Sequence, residues 1–164
     1  MSLHLTAMTA ADIPAVAAIE AQQHLTPWLE SGFKDALRHG WSTCVLRDGA
    51  QTENPVLGYF VAMTVGDDEE LLTITVAPEY AGRGYGRLLL ETLLREARAR
   101  GAQRLFLEVR QSNTPAIHLY ESAGFTMAGM RKNYYAIPAD PTRGRAAGRE
   151  DAVLMVNVLQ AGAS

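Results

Sequence analysis

The chain has 164 residues, 48% of them hydrophobic and 20% charged, which is typical of a globular protein with a buried core. A net charge of −3 disfavours general nucleic-acid binding, because such binding uses a basic face. The single cysteine, Cys44, excludes an internal disulfide and a multi-cysteine zinc site, and its apolar neighbours predict a buried structural thiol. We find no signal-peptide pattern and no apolar run of about 18 residues, so we predict a cytoplasmic protein without a membrane span.

The first part of the chain alternates strand and helix patterns. Leu3 and Leu5 begin a short strand, and Thr9 caps a helix over Asp12 to Gln22. A second helix begins at Pro27 or Trp28 and runs to about Arg38. Two further strands are predicted over Ser42 to Arg47 and Val56 to Val65.

The middle of the chain contains an acidic turn and a glycine-rich turn. Gly66-Asp67-Asp68-Glu69-Glu70 reads as a solvated hairpin end, and a metal site there is disfavoured. Leu71 to Val76 is a buried strand that Pro78 ends, because proline cannot donate to a sheet. After three glycines at alternate positions, Leu88 opens a helix that Gly101 closes.

The last third of the chain predicts three strands and one helix. Arg104 to Val109 is a strand, and Asn113 caps a helix that ends at Gly124. A strand over Thr126 to Tyr134, a polar loop over Ala136 to Arg149 and a strand over Asp151 to Leu159 follow. No repeat or linker divides the chain, so we predict one α/β domain over residues 1–164, with a mixed sheet and helices on both faces.

The glycine-rich turn between strand and helix has the character of a phosphate site. Gly82, Gly84 and Gly86 allow close backbone approach, and the free N–H groups of a following helix attract anions. Arg83 and Arg87 add positive charge. The alternative is a plain tight connection.

Two familiar phosphate motifs do not fit this turn. A P-loop requires lysine and then Ser or Thr after its last glycine, whereas Arg87 and Leu88 follow Gly86. The dinucleotide fingerprint fails because its last glycine would fall on Arg87 or Leu89, although Glu108 offers the expected acid downstream.

The motifs taken together resemble a known family. The chain is similar to the GNAT (Gcn5-related) N-acetyltransferases, and especially to their ribosomal-protein-alanine (RimI-type) branch. The resemblance covers nearly the whole chain, and the combination of L-E-V-R, N-Y-Y and E-D-A is more specific than the glycine turn. It rests on Ile19-Glu20, Pro27-Trp28, Ile74 to Val76, Arg83 to Glu91, Leu107 to Arg110, Ser112-Asn113, Ala116 to Phe125, Arg131 to Tyr135 and Glu150 to Ala152.

The resemblance implies acetyl-CoA as the donor and no metal. It implies that Asn113 contacts the pantetheine, although a helix cap explains this residue nearly as well. It further implies that main-chain groups of Ile74, Thr75 and Val76 hold the thioester arm, and that backbone amides bind the pyrophosphate at Gly82, Arg83, Gly84, Tyr85, Gly86 and Arg87.

The resemblance also assigns the chemistry. Glu108 would be the general base and Tyr120 the general acid. The alternatives are a surface carboxylate paired with Arg110 and an aromatic side chain that only fills the core. The implied fold is a mixed sheet of about six to seven strands flanked by about four helices, in a monomer or weak dimer.

The implied acceptor is the N-terminal α-amine of a protein, with a ribosomal protein as the first candidate. A small amine or a lysine side chain remains an alternative acceptor, as does a non-catalytic acyl-CoA sensor. This chain departs from the family pattern in two places near the site. Ala81 replaces the Gln or Arg usual in the family, and the loop Ala136 to Arg149 is longer than the family's and carries Arg143, Arg145 and Arg149. These arginines suit acidic acceptors, or the loop is simply mobile and solvated.

Overall fold

All seven strands lie in one mixed sheet in the computed structural model, which describes residues 2–160. The strand order is β1-β2-β3-β4-β5-β7-β6. In chain order the elements are β1 (Leu3–Thr6), α1 (Ile13–Gln23), α2 (Glu30–Arg38), β2 (Ser42–Asp48), β3 (Val56–Val65), β4 (Asp68–Val76), α3 (Tyr85–Ala99), β5 (Arg104–Arg110), α4 (Thr114–Ser122), β6 (Thr126–Ile137) and β7 (Gly148–Val158), with short 3₁₀ turns at Ala10–Asp12, Pro78–Tyr80 and Pro141–Arg143.

Helices cover both faces of this sheet, as the sequence predicts. On one face, α3 and α4 pack Leu89, Leu93 and Tyr120 against inward residues of β5 such as Leu107. On the other face, α1 and α2 form a second core that includes Ile13, Val16, Phe33, Tyr59 and Val61. The predicted α/β class, with its mixed sheet of seven strands and four α-helices within residues 2–160, is confirmed.

A bulge in β4, in its pairing with β3, lies where the parallel pairing of β4 with β5 ends. Thr73 pairs with Val61 and Leu71 with Ala62, so Leu72 is an extra residue that reverses which side chains face each core. The parallel pairing of β4 with β5 ends at Leu71 opposite Leu107. Beyond that point β4 keeps only its pairing with β3, and a cleft opens through the sheet between β4 and β5.

Two predicted boundaries near this cleft are wrong. The second helix begins at Glu30 rather than Pro27 or Trp28, because the Trp28 amide donates to Glu20 Oε2 at 3.2 Å and its ring packs 5.3 Å from that of Phe33. The glycine-turn helix begins at Tyr85 rather than Leu88, directly after Gly84, whose φ of 82° precedes the first turn.

The acidic segment Gly66 to Glu70, predicted as a solvated hairpin end, is mostly part of β4. Asp68, Glu69 and Glu70 lie within the strand. Glu69 is 3% exposed and accepts two hydrogen bonds from Arg100, at 2.7 and 2.8 Å. Only Gly66 and Asp67 form the hairpin turn, because the ion pair satisfies the charge that would otherwise exclude Glu69 from the interior.

The arginine-rich loop is shorter and more ordered than the sequence predicts. β6 extends to Ile137 and β7 begins at Gly148. Arg145 donates twice to the Pro138 carbonyl, and Arg143 lies 3.6 Å from Asp140. Arg149 donates to the carbonyls of Asn133 and Tyr134 at 2.7 and 3.1 Å. These contacts lie within the β6–β7 hairpin and its loop. They therefore argue against a role of the arginines in selecting acidic acceptors.

Cys44 is buried as predicted, at 3% exposure, and burial raises the pKa of its thiol to about 12. A thiol with so high a pKa is a poor nucleophile at neutral pH. None of the helices within residues 2–160 combines the length and apolar character needed to cross a membrane.

Candidate active site

The cleft between β4 and β5 encloses a cavity of about 210 Å³. Four of the residues predicted from the sequence line it: Ile74, Glu108, Asn113 and Tyr120. The other lining residues come from α1 and the segment after it, from β4 and β5, from α4 and from β6, and they are Glu20, His24, Thr26, Trp28, Leu71, Leu72, Thr73, Leu107, Val109, Arg110, Ala116 and Tyr135.

Glu108 projects from β5 on the face of the sheet opposite α3 and α4. Its neighbours Leu107 and Val109 belong to the core beneath those helices, so strand alternation turns Glu108 the other way. Both carboxylate oxygens accept from Arg131 Nη1, at 3.0 and 3.2 Å. This bond raises the pKa of the Arg131 guanidinium.

The predicted alternative for Glu108, a pair with Arg110, is wrong. Arg110 instead lies 3.4 Å from Glu150 and stacks on the ring of Tyr135, with its guanidinium carbon 4.6 Å from the ring centroid. Arg110 also donates to Thr26 at 2.9 Å, so it joins β5 to the segment between α1 and α2. Within residues 2–160, Arg131 is therefore the one cationic partner of Glu108.

Tyr120 reaches the cavity from the opposite face of the sheet. It lies on α4, is 8% exposed and packs 5.8 Å from the ring of Phe125. Burial raises the pKa of its phenol, which keeps the hydroxyl protonated at neutral pH. Within residues 2–160 this hydroxyl makes no hydrogen bond, and Tyr120 lines the cavity, so its proton is available to a ligand there. A carboxylate and a phenol thus approach one cavity from opposite sides.

The free edge of β4 borders the same cavity. Ile74 and Thr75 pair with β3 on one side only, which leaves their other side open to a ligand. The Thr75 hydroxyl bonds His24 Nε2 at 2.8 Å, and the Val76 carbonyl already accepts from the Gln23 side chain at 2.8 Å. Of the three residues predicted to hold the thioester arm, Val76 therefore has its carbonyl engaged within the protein.

The glycine turn lies outside the cavity lining but next to the β4 edge. Gly82 and Gly84 have φ values of 77° and 82°, and a Cβ at either position would meet no atom within 4 Å, so both face open space. Gly86 packs 3.7 Å from Val76 and 3.5 Å from Leu119, measured from the position of a Cβ. The backbone at Gly82 and Gly84, just before α3, is thereby exposed beside the cleft, where the helix dipole favours an anion.

The side chains of the turn contribute less than its backbone. Arg87 donates to Glu91 at 3.0 Å and to the Ser122 hydroxyl at 2.6 Å, so it links α3 to α4. Arg83 stacks on Tyr80 with its guanidinium carbon 5.3 Å from the ring centroid, and Tyr85 is buried in the core. Asn113 caps α4 by accepting from the Ala116 amide at 3.3 Å, so the cap predicted as its alternative role is present.

The sequence does not reveal the part that Glu20 plays in the cavity wall. Glu20 is 3% exposed and accepts from the Tyr59 hydroxyl at 2.7 Å, from Thr73 at 2.9 Å and from the Trp28 amide. His24 Nε2 lies 3.6 Å from the same carboxylate. This carboxylate fastens α1 and the segment after it to β3 and β4. The pair Ile19-Glu20 contributes to the family resemblance, but the sequence around it does not indicate that Glu20 is buried and hydrogen-bonded to Tyr59, Thr73 and Trp28.

A second cavity of about 200 Å³ adjoins Glu108 on the α1–α2 face. It depends on an irregular stretch of β6 in which the register shifts between Arg131 and Tyr135. There Asn133 has a φ of 52°, and its amide donates to Asp151 at 2.9 Å. The walls are Trp28, Glu70, Leu71, Leu72, Glu108, Tyr134 and Tyr135, and all of these except Glu70 and Tyr134 also line the first cavity. Within residues 2–160 no group of three His, Cys, Asp or Glu side chains is arranged to hold a metal.

Comparisons with known proteins agree with this geometry. Residues 11–125 match the model of the Acetyltransferase (GNAT) family. The [ribosomal protein bS18]-alanine N-acetyltransferase of Escherichia coli K12 is 39% identical over 152 residues, which cover 92% of this chain and 94% of that protein. The protein of the same name from Haemophilus influenzae is 36% identical over 155 residues, covering 94% and 98%.

The three-dimensional comparison gives the same result. The crystal structure of the ribosomal-protein-S18-alanine N-acetyltransferase from Escherichia coli aligns with a TM-score of 0.83 at 36% identity, covering 99% of this chain and 97% of that one. The crystal structure of Ard1 from Thermoplasma volcanium, at 21% identity, shares the fold with a TM-score of 0.82. On sequence and on fold, the chain belongs to the GNAT acetyltransferase family.

Proposed function

We propose that this protein transfers the acetyl group of acetyl-CoA to the N-terminal α-amine of a protein, and that the N-terminal alanine of ribosomal protein bS18 is its first candidate acceptor. The observation that carries the proposal is the cleft between β4 and β5, which Glu108 enters from one face of the sheet and Tyr120 from the other. The acceptor is taken from the names of the relatives in Escherichia coli and Haemophilus influenzae. A ribosomal acceptor implies a cytoplasmic enzyme, working as one domain.

The donor fits the face of the sheet that carries α3 and α4. The exposed backbone at Gly82 and Gly84 suits a pyrophosphate, since it lies at the positive end of the dipole of α3. The open edge at Ile74 and Thr75 suits the amide-containing arm, which would add to β4 like a strand. This arrangement brings a thioester into the cavity beside Tyr120.

The acceptor fits the opposite face, where Glu108 lies. The carboxylate takes a proton from the α-ammonium, directly or through one water, and the neutral nitrogen then attacks the thioester carbon. The carbon–sulfur bond breaks as the amide forms, and the leaving thiolate takes the Tyr120 proton. The nitrogen loses its second proton as the amide forms, and this proton restores Tyr120, directly or through water. Glu108 returns its proton to solvent, so one proton is released for each acetyl group transferred.

The magnitude of the deprotonation cost favours an α-amine over lysine. An α-amino group has a pKa of about 7.7–8.0 and a lysine about 10.4. At about 1.4 kcal/mol for each pKa unit, neutralising the first near pH 7 costs about 1 kcal/mol and the second more than about 4 kcal/mol. A carboxylate base held by one arginine is adequate for the first task.

A free-thiol assay tests this proposal. We expect release of coenzyme A thiol from acetyl-CoA with a peptide that begins with unblocked alanine, and a kcat/KM at least about 10²-fold lower for the same peptide with a blocked N-terminus and an internal lysine, since about 3 kcal/mol separates the two deprotonation costs. A panel with other first residues measures the preference for alanine. Equal or faster reaction of the lysine peptide would contradict the α-amine assignment, and donor binding without any thiol release would indicate an acyl-CoA sensor.

A further inference from the structure

We call the surface around the 200 Å³ cavity on the α1–α2 face the mouth of the acceptor site. Within residues 2–160 it holds one carboxylate, that of Glu70, without a cationic partner of its own. Glu70 and Glu108 lie on adjacent parallel strands and on the same face of the sheet, with Glu70 opposite Phe106 in the register. Both line the 200 Å³ cavity beside Trp28 and Tyr134, and both line a further cavity of similar size next to it. One guanidinium, that of Arg131, faces the two carboxylates.

Arg131 bonds only one of them. Its Nη1 donates to both oxygens of Glu108 at 3.0 and 3.2 Å, and its guanidinium carbon stacks 4.4 Å from the Tyr134 ring centroid. Glu70 makes neither a hydrogen bond nor an ion pair in the part of the chain from residue 2 to 160. Burial and, next, repulsion from Glu108 raise the pKa of Glu70, whereas Arg131 lowers it.

Three other acidic residues nearby, Asp68, Glu69 and Glu150, differ from Glu70 because each has an arginine partner. Asp68, on the same strand and face, lies 3.1 Å from Arg104. Glu69 is bonded to Arg100, and Glu150 lies 3.4 Å from Arg110. Among the carboxylates at the mouth, Glu70 alone within residues 2–160 has its charge free for a ligand.

The walls around Glu70 suit a particular kind of side chain. Trp28, Leu72, Tyr134 and Tyr135 offer apolar and aromatic surface beside the carboxylate. Lysine and arginine have a long apolar stem and a cationic end, so the stem can pack on these walls while the end meets Glu70. An acidic side chain would meet two carboxylates there and be repelled.

We propose that Glu70 is a specificity residue, which binds a basic side chain at the second position of the acceptor while the α-amine lies at Glu108. This rests on the proposed function. It gives the acceptor a charge preference opposite to the one that the arginine-rich loop suggests from sequence. Because the loop arginines are engaged in the β6–β7 hairpin, Glu70 is the charge that meets the acceptor.

Two peptides that differ only at the second residue test the inference. Wild-type enzyme should show a kcat/KM about two- to five-fold higher for a peptide beginning Ala-Arg than for one beginning Ala-Gln, the range of an exposed ion pair. In Glu70→Gln the ratio should fall toward one, and in Glu70→Lys a peptide beginning Ala-Glu should overtake the Ala-Arg peptide. Asp68→Asn removes a paired carboxylate from the same strand and should leave the ratio as in wild type.

Each alternative outcome has a distinct meaning. A wild-type ratio near one, or a ratio that persists in Glu70→Gln, overturns the assignment of Glu70 while leaving α-amine transfer in place. An equal loss for both peptides in Glu70→Gln also overturns it, because such a loss shows a structural effect. If wild-type enzyme releases no thiol with any unblocked peptide, the proposed function fails and this inference fails with it.

Discussion

Replacing Glu108 by glutamine is expected to lower kcat by about 10²–10⁴-fold, the usual contribution of a general base. Glutamine has nearly the same shape and can still accept from Arg131, so the cavity should keep its geometry while losing the group that we propose takes the proton. The melting temperature should stay near that of wild type, because Glu108 lies at the cavity edge rather than in either core. Steady-state thiol release with saturating acetyl-CoA measures the effect.

Two controls separate a catalytic loss from a structural one. Glu53→Gln changes an exposed carboxylate in the loop between β2 and β3, two strands that do not border the cleft between β4 and β5. This variant should behave as wild type. The rise in melting temperature on adding acetyl-CoA should be the same for Glu108→Gln as for wild type, since a ligand stabilises the folded state according to its own affinity. A Glu108→Gln enzyme with normal turnover would remove this residue from the mechanism.

Replacing Tyr120 by phenylalanine is expected to lower kcat by about 10²-fold, the lower end of general acid–base effects. The reduction is smaller than for Glu108 because a thiolate leaves readily even without a proton, as the pKa of about 8.5 for a cysteine thiol indicates. The phenol is in its protonated form because burial raises its pKa, and no residue from 2 to 160 holds its hydroxyl by a hydrogen bond.

The phenylalanine ring keeps the contact with Phe125, so Tyr120→Phe should fold normally and bind acetyl-CoA with an unchanged KM. An unchanged kcat would show that solvent, rather than Tyr120, protonates the thiolate. A raised KM for acetyl-CoA with unchanged kcat would instead make Tyr120 a binding residue, because uniform binding affects KM alone.

Local patterns in the sequence were sufficient for most of the fold. Alternation and β-branched content locate the strands, and the Asn113 cap and the glycines of the turn mark helix ends because their backbone requirements are local. The errors at Glu69 and Trp28 both arise from contacts between residues that are separated in the sequence. Glu69 is buried because it pairs with Arg100, 31 residues away, and Trp28 lies outside the helix because its amide donates to Glu20.

The candidate site shows the same division between local and distant information. The resemblance supplied Glu108 and Tyr120, and both line one cavity. It could not supply the partner of Glu108, because Arg131 reaches it from β6 across an intervening strand through an irregular register. The unpaired state of Glu70 is likewise a property of the assembled sheet, since it depends on which acids acquire arginine partners.

The most direct test is to locate the transferred acetyl group. A peptide with an unblocked N-terminal alanine and one internal lysine is incubated with wild-type enzyme and acetyl-CoA, and tandem mass spectrometry identifies the modified nitrogen. We expect the acetyl group on the alanine α-amine, and its near absence after Glu108→Gln. Acetylation of the lysine in preference to the α-amine, or equal α-amine acetylation by the variant, would contradict the account.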